Sequence, residues 1–167
     1  PTPLADIYVP LRFSTDKLEK TQNDLISETI NSRFAIISGT GGSGKSMFMK
    51  FLWFSFHSID ADKIPLFIEL RALNDINSDN IESFILSTVF STTEKASNYH
   101  DYFHLLMEDG RFVILLDGFD EVSEIKKPSI ERDILRLSRA YPKNIYIIST
   151  RPSVNRLSWE RYTTYNV

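Results

Sequence analysis

The 167-residue chain is 42% hydrophobic and 25% charged, which excludes the disordered class and supplies apolar material for a sizeable core. A net charge of −3 gives no global basic field for nucleic acid or an anionic membrane surface, although a local basic face stays open. The absence of cysteine removes disulfides, thiolate metal sites and cysteine nucleophiles together, and agrees with a reducing, cytoplasmic compartment.

The N-terminus PTPLADIYVPLRF has neither a signal-peptide apolar core nor an initiator Met, and nowhere is there an apolar run of about 18 residues to span a membrane. The expectation is a soluble chain excised from a larger protein. Without an internal repeat, linker or low-complexity tract, residues 1–167 read as one unit, with 1–33 an N-terminal segment and helix leading into it. Leu18, Leu25, Ile26 and Ile30 recur at helical spacing and predict a helix over 18–31. Phe34 to Ser38 (FAIIS) reads as the first strand. Met47 to Phe56 is apolar nearly all round, with Met47, Phe48, Phe51 and Leu52 on one stripe and Met49, Trp53 and Phe56 on another; such a helix is expected to be buried on two sides. The second stripe also suits a surface covered by segments outside the chain.

Ile64 to Leu70 predicts a strand opened by Pro65, and Asp79 to Phe90 a helix, with Ser91 to Thr93 as loop. Tyr99 to Met107 predicts a helix closed by Gly110, and Phe112 to Leu116 (FVILL) a central strand covered on both faces. Pro128-Ser129 reads as loop leading into a helix over Ser129 to Ala140. Ile145 to Thr150 (IYIIST) is a further strand, and TTYNV at the end is the last strand or its beginning. Strands alternating with helices imply a three-layer α/β sandwich on a parallel sheet.

Between the first strand and the next helix lies GTGGSGKS. Gly39, Gly44, Lys45 and Ser46 satisfy G-x-x-x-x-G-K-[ST], a pattern expected by chance in roughly one chain in two hundred of this length. Glycines let the backbone curl so that N–H groups point at a phosphate, above the positive end of the helix dipole. Lys45 would reach the β- and γ-phosphates and Ser46 would ligate Mg²⁺. A plain glycine turn explains the glycines but not Lys45-Ser46. The nucleotide-binding set is then Gly39, Thr40, Gly41, Gly42, Ser43, Gly44, Lys45, Ser46 and Met47.

FVILLDGFDE supplies a second metal ligand, Asp117, at the end of an apolar strand. Asp120 and Glu121 follow; one of them would orient or deprotonate the water that attacks the γ-phosphate, and Glu121 is favoured, although both also suit a solvated loop. Arg151, after IYIIST, is placed to contact the γ-phosphate and tell ATP from ADP. No Asn-Lys-x-Asp guanine-reading motif is present, which favours ATP. His100 and His104, an i, i+4 pair without a third ligand, read as a surface pair. Arg132, Arg136 and Arg139 read as a solvated helix face.

Taken together, GTGGSGKS, PLFIELRAL (65–73), LLDGFDE (115–121) and STRP (149–152) resemble the NTPase core of a NACHT domain, within the STAND class of P-loop signalling ATPases, over roughly Tyr8 to Pro152. Gly118 directly after the metal-site Asp, with the acidic pair displaced to Asp120 and Glu121, is the most specific part. The resemblance implies a parallel sheet of about five strands, the STRP strand lying between the phosphate-loop strand and the Asp117 strand. It implies ATP/ADP and Mg²⁺ as cofactors, slow hydrolysis, and a switch that self-associates when ATP-bound, with effector and sensor domains lying elsewhere in the protein; immune or antiviral signalling is the family's suggested setting. It matches Arg151 to the sensor-one arginine, gives Arg71 a structural role, and places Ile7 to Pro10 over the adenine. A metabolic ATPase or kinase and a binding-only assembly module are the alternatives.

Overall fold

A computed structural model describes residues 9–15, 18–75, 80–89, 96–152 and 159–167. The chain opens with a short hairpin, β1 (Phe13–Thr15) and β2 (Leu18–Lys20), and helix α1 (Gln22–Ser32). Alternation then sets in: β3 (Phe34–Ser38), α2 (Lys45–Ile59), β4 (Ile64–Glu69), a 3-10 segment (Leu70–Asp75), α3 (Ile81–Val89), α4 (Ala96–Asp109), β5 (Phe112–Asp117), a single 3-10 turn (Phe119–Glu121), α5 (Lys127–Ala140), β6 (Ile145–Thr150) and β7 (Thr163–Asn166).

The strands form one sheet in the order β2-β1-β7-β3-β6-β5-β4. From β7 to β4 every pairing is parallel, whereas β1 joins β7 and β2 antiparallel. The expected five-stranded parallel core is therefore present, with β6 between β3 and β5, and the hairpin raises the total to seven. Three-residue strands are too short to display an alternating pattern, which is why the hairpin escaped the reading of the sequence. Its second strand overturns the start of the predicted helix over 18–31: Leu18 pairs with Thr15 and is exposed. The helix begins later because Thr21 caps it, accepting from the Asp24 N–H at 3.2 Å while the Asp24 carboxylate accepts from the Thr21 N–H at 2.9 Å, a reciprocal capping box.

Central strands β3, β5 and β6 are buried at every residue, as continuous apolar runs in a doubly covered sheet should be. Alternation sends Ile36, Ile114, Leu116, Tyr146 and Ile148 into one core with Ile85, Phe103, Met107, Ile130 and Ile134 of α3, α4 and α5. Ala35, Ile37, Val113, Leu115 and Ile147 enter the other, with Leu25 of α1 and Phe48, Met49, Leu52 and Phe56 of α2. This makes three layers, helices on both faces of the sheet.

Helix α2 is not buried on two sides as expected. Met49 and Phe56 belong to the same core as Phe48 and Leu52, whereas Met47, Trp53 and Phe54 are exposed. The proposed second stripe is thus divided between core and solvent, and the Trp53 indole donates to the Pro65 carbonyl at 3.1 Å. Predicted boundaries shift elsewhere by a residue or three. Helix α5 starts at Lys127 and takes Pro128 into its first turn, where the missing N–H costs nothing; the expected loop at Pro128-Ser129 is therefore helical. Gly110 closes α4 with φ +73°: the Arg111 N–H bonds Leu106 and the Gly110 N–H bonds Met107, a Schellman arrangement. Residues 79 and 90 of the predicted third helix and the Ser91 to Thr93 loop lie outside the described residues. Among the described residues, no helix is long and apolar enough to cross a membrane.

Candidate functional site

Parallel pairing brings the C-terminal ends of three strands together. Ser38 of β3 pairs with Thr150 of β6, and Leu116 of β5 with Ile148, so the segments that leave these strands open onto one edge of the sheet. A cavity of about 310 Å³ lies there, lined by the loop residues Gly41 to Met47 and by Gly118, Asp120, Glu121, Ser149 and Arg151.

The wall formed by 39–47 owes its shape to glycine. Gly42 and Gly44 have φ of +77° and +91°, a region that costs other residues roughly 1–2 kcal/mol. A Cβ on Gly42 would meet nothing within 4 Å, so its constraint is conformational alone. The Gly39 N–H reaches Thr150 O at 3.2 Å and ties the loop to β6, while Ser43 N–H closes onto Thr40 O at 3.3 Å. Lys45 opens α2, and its ammonium spans the loop, donating to Gly39 O at 2.7 Å and Thr40 O at 2.8 Å. Gly39 and Thr40 thus hold Lys45 rather than line the cavity. The first N–H groups of α2 lack intrahelical acceptors and carry the positive end of its dipole.

Opposite stands the acidic turn. Asp117 ends β5 and is buried, its carboxylate accepting a short hydrogen bond from the Ser149 hydroxyl. Gly118 turns the chain with φ +76°, and a Cβ there would come within 3.3 Å of the Glu121 carboxyl carbon. A small residue after Asp117 therefore serves two ends, a left-handed turn and room for Glu121. Phe119 sinks into the core against Trp159, ring centroids 5.7 Å apart. Asp120 accepts from Arg151 Nε at 2.8 Å. Glu121 is exposed at the cavity.

The structure thus brings together Gly41 to Met47, Asp120, Glu121 and Arg151, and sets Asp117 just behind them. Ser149 and Asn74 are additions. Asn74 Nδ2 donates to Glu121 O at 2.9 Å and its Oδ1 accepts from Ser123 N–H at 2.8 Å, clamping the turn on both sides. The polar pair Ser149-Thr150 that closes the apolar strand IYIIST was the available signal for Ser149; nothing local marks Asn74.

The donor set fits a polyphosphate and a divalent cation. Cationic and N–H groups form one wall and carboxylates the other, and Ser43 Oγ is buried without a hydrogen-bond partner among the described residues. Among the described residues, no three His, Asp or Glu side chains converge to hold a metal by themselves, so a cation here would share its shell with a ligand, as Mg²⁺ does in nucleotide sites. The family model of the NACHT domain matches residues 33–163.

The chain belongs to the NACHT family. It carries the P-loop NTPase module of signalling proteins, the type of module that binds nucleotide. Comparison with curated proteins finds no match. The NACHT match takes in both walls of the cavity. Leu11, from the segment before β1, reaches within 3.4 Å of the place a Cβ on Gly44 would occupy; Ile7 and Tyr8, expected near an adenine, lie outside the described residues, and Val9 and Pro10 are exposed. Arg71 pairs loosely with Glu69, at 3.8 Å, and is not among the residues that line the cavity. His100 and His104 meet Nε2 to Nε2 at 3.3 Å, and His104 Nδ1 lies 2.6 Å from the hydroxyl of Tyr141 at the end of α5. Arg132, Arg136 and Arg139 are exposed along α5, with Arg136 paired to Asp133 at 3.2 Å.

Proposed function

We propose that this NACHT core binds ATP in a Mg²⁺-dependent manner, hydrolyses it slowly to ADP, and through that difference controls self-association in a larger cytoplasmic signalling protein with effector and sensor domains, in immune or antiviral defence. The observation that carries the reading is the single cavity shared by the glycine loop with Lys45, the acidic pair and Arg151.

The loop N–H groups and Lys45 would hold the phosphates, where charge-assisted hydrogen bonds are strongest. Mg²⁺, when bound, neutralises phosphate charge, and Ser46 and Asp117 are the residues that would hold it. The ion pair divides the acidic residues: Asp120 is committed to Arg151, which leaves Glu121 to orient the attacking water and accept its proton. Arg151, held at the cavity but 58% exposed along its side chain, would bind the terminal phosphate and report its presence. Membrane and direct nucleic-acid roles are not part of this reading.

Titration of the chain with fluorescent ATP and ADP, with and without Mg²⁺, tests it. Mg²⁺-dependent ATP binding that disappears in Lys45→Ala and Asp117→Asn is the expected result; no binding by the unaltered chain, or preference for GTP in competition, would overturn it. An ATPase assay with Glu121→Gln alongside then separates the switch, with slow turnover lost in the variant, from a metabolic enzyme with fast turnover and a binding module with none.

A further inference from the structure

We propose that Ser149 is a positioning residue that holds Asp117 in the orientation needed for the metal, an inference that rests on the Mg²⁺-nucleotide reading of the cavity. Ser149 is 1% exposed and sits where β6 meets the sheet edge, paired with Ile37 of β3. Its Oγ accepts the N–H of Gly118 at 2.8 Å. That leaves its own hydrogen to donate, and the donation goes to Asp117 Oδ1. Two consecutive groups of the acidic turn, 31 and 32 residues away in sequence, are thus fixed by one hydroxyl.

The arrangement has a chemical consequence that a packing role lacks. A carboxylate's terminal torsion is broad and two-fold, so Asp117 at the end of a strand would sample many orientations. A hydrogen bond to Oδ1 selects one of them and partly compensates the burial of the charge. Oxygen donors of this kind are what a hard cation takes. Partners of this kind, behind a metal ligand, change metal affinity by about 10- to 100-fold when removed. Ser149 also lines the cavity, so a water or phosphate oxygen there shares its surroundings.

The decisive readout is the Mg²⁺ concentration that half-saturates fluorescent-ATP binding, compared with ATP affinity in EDTA. Ser149→Ala is expected to raise the Mg²⁺ midpoint by about tenfold or more, beyond any change seen in EDTA, and Ser149→Thr, which keeps the hydroxyl, to restore most of it. An unmoved midpoint in Ser149→Ala, or equal losses with and without Mg²⁺, would overturn the assignment. Should Ser149→Ala fail to fold by circular dichroism, Ser149→Cys, of similar size but with a weak donor, takes its place: a midpoint equal to that of Ser149→Thr would overturn the proposal. Failure of the unaltered chain to bind ATP in Mg²⁺ would instead remove the nucleotide reading itself, and Ser149's role with it.

Discussion

The two walls of the cavity are built on different physical principles. The glycine loop between β3 and α2 takes its form from backbone conformation: positive φ at Gly42 and Gly44, and a lysine turned back onto its own loop. The acidic turn after β5 is instead pinned by side chains remote in sequence, through Ser149, Asn74, Arg151 and the Phe119–Trp159 contact. One wall is a local motif; the other is assembled by the fold. Damage to the first should strike binding while sparing stability, and damage to the second should strike both.

The strongest expected effect is at Lys45. Removing its ammonium with Lys45→Ala should weaken ATP binding by about 10- to 100-fold, the range of hydrogen bonds to charged groups, while the urea unfolding midpoint stays near that of the parent, because no core residue is touched. A stability loss as large as the binding loss would erase the contrast between the walls. Gly118→Ala comes next. The positive φ costs roughly 1–2 kcal/mol, and the new Cβ, 3.3 Å from the Glu121 carboxyl carbon, should push that side chain aside. Chemical denaturation and single-turnover hydrolysis should therefore fall together.

Asn74→Ala removes two hydrogen bonds to the turn backbone and should cost about 1–2 kcal/mol in urea denaturation, with slower hydrolysis but ATP affinity changed less than in Lys45→Ala. Loss of affinity without loss of stability would mean that Asn74 belongs with the loop wall.

The smallest effect is expected outside both walls, at the α1 cap. Thr21→Ala should lower the unfolding midpoint modestly at neutral pH without altering nucleotide binding. Hydrogen bonds from Thr21 hold the Asp24 carboxyl below its ordinary value of 3.8. A depressed carboxyl contributes stability above that ordinary value and loses it as pH falls through the folded value. The gap between Thr21→Ala and the parent chain should accordingly narrow in acid, as thermal melts across pH 7 to 2 would show.

The glycine loop was legible from sequence because its chemistry is contiguous: strand, G-x-x-x-x-G-K-S and helix follow one another, and the conformations it needs are ones only glycine adopts cheaply. Runs such as FVILL and IYIIST likewise announce strands covered on both faces, and the alternation of strands and helices fixes a parallel sheet with helices on both sides. Asp117, Asp120, Glu121 and Arg151 could be named as candidates, since each stands beside an apolar strand end.

Their division of labour was not legible. Whether Asp120 or Glu121 is committed to Arg151 depends on how the turn after Gly118 is wound and on where β6 sits beside β5, distances that no local pattern encodes. The same holds for Asn74, whose sequence context is an ordinary polar turn, and for the α2 face, where helical periodicity could not tell which aromatic side chains meet the sheet. Strands β1 and β2 were hidden because three residues carry too little pattern to compete with the helical spacing of Leu18 and Leu25. Composition and contiguous motifs therefore determined the class of fold and the glycine loop of this NACHT chain. The tertiary structure decided the partners of each carboxylate and the exposed face of α2, because those follow from contacts between segments 30 to 50 residues apart, and such contacts exist only once the strands have paired.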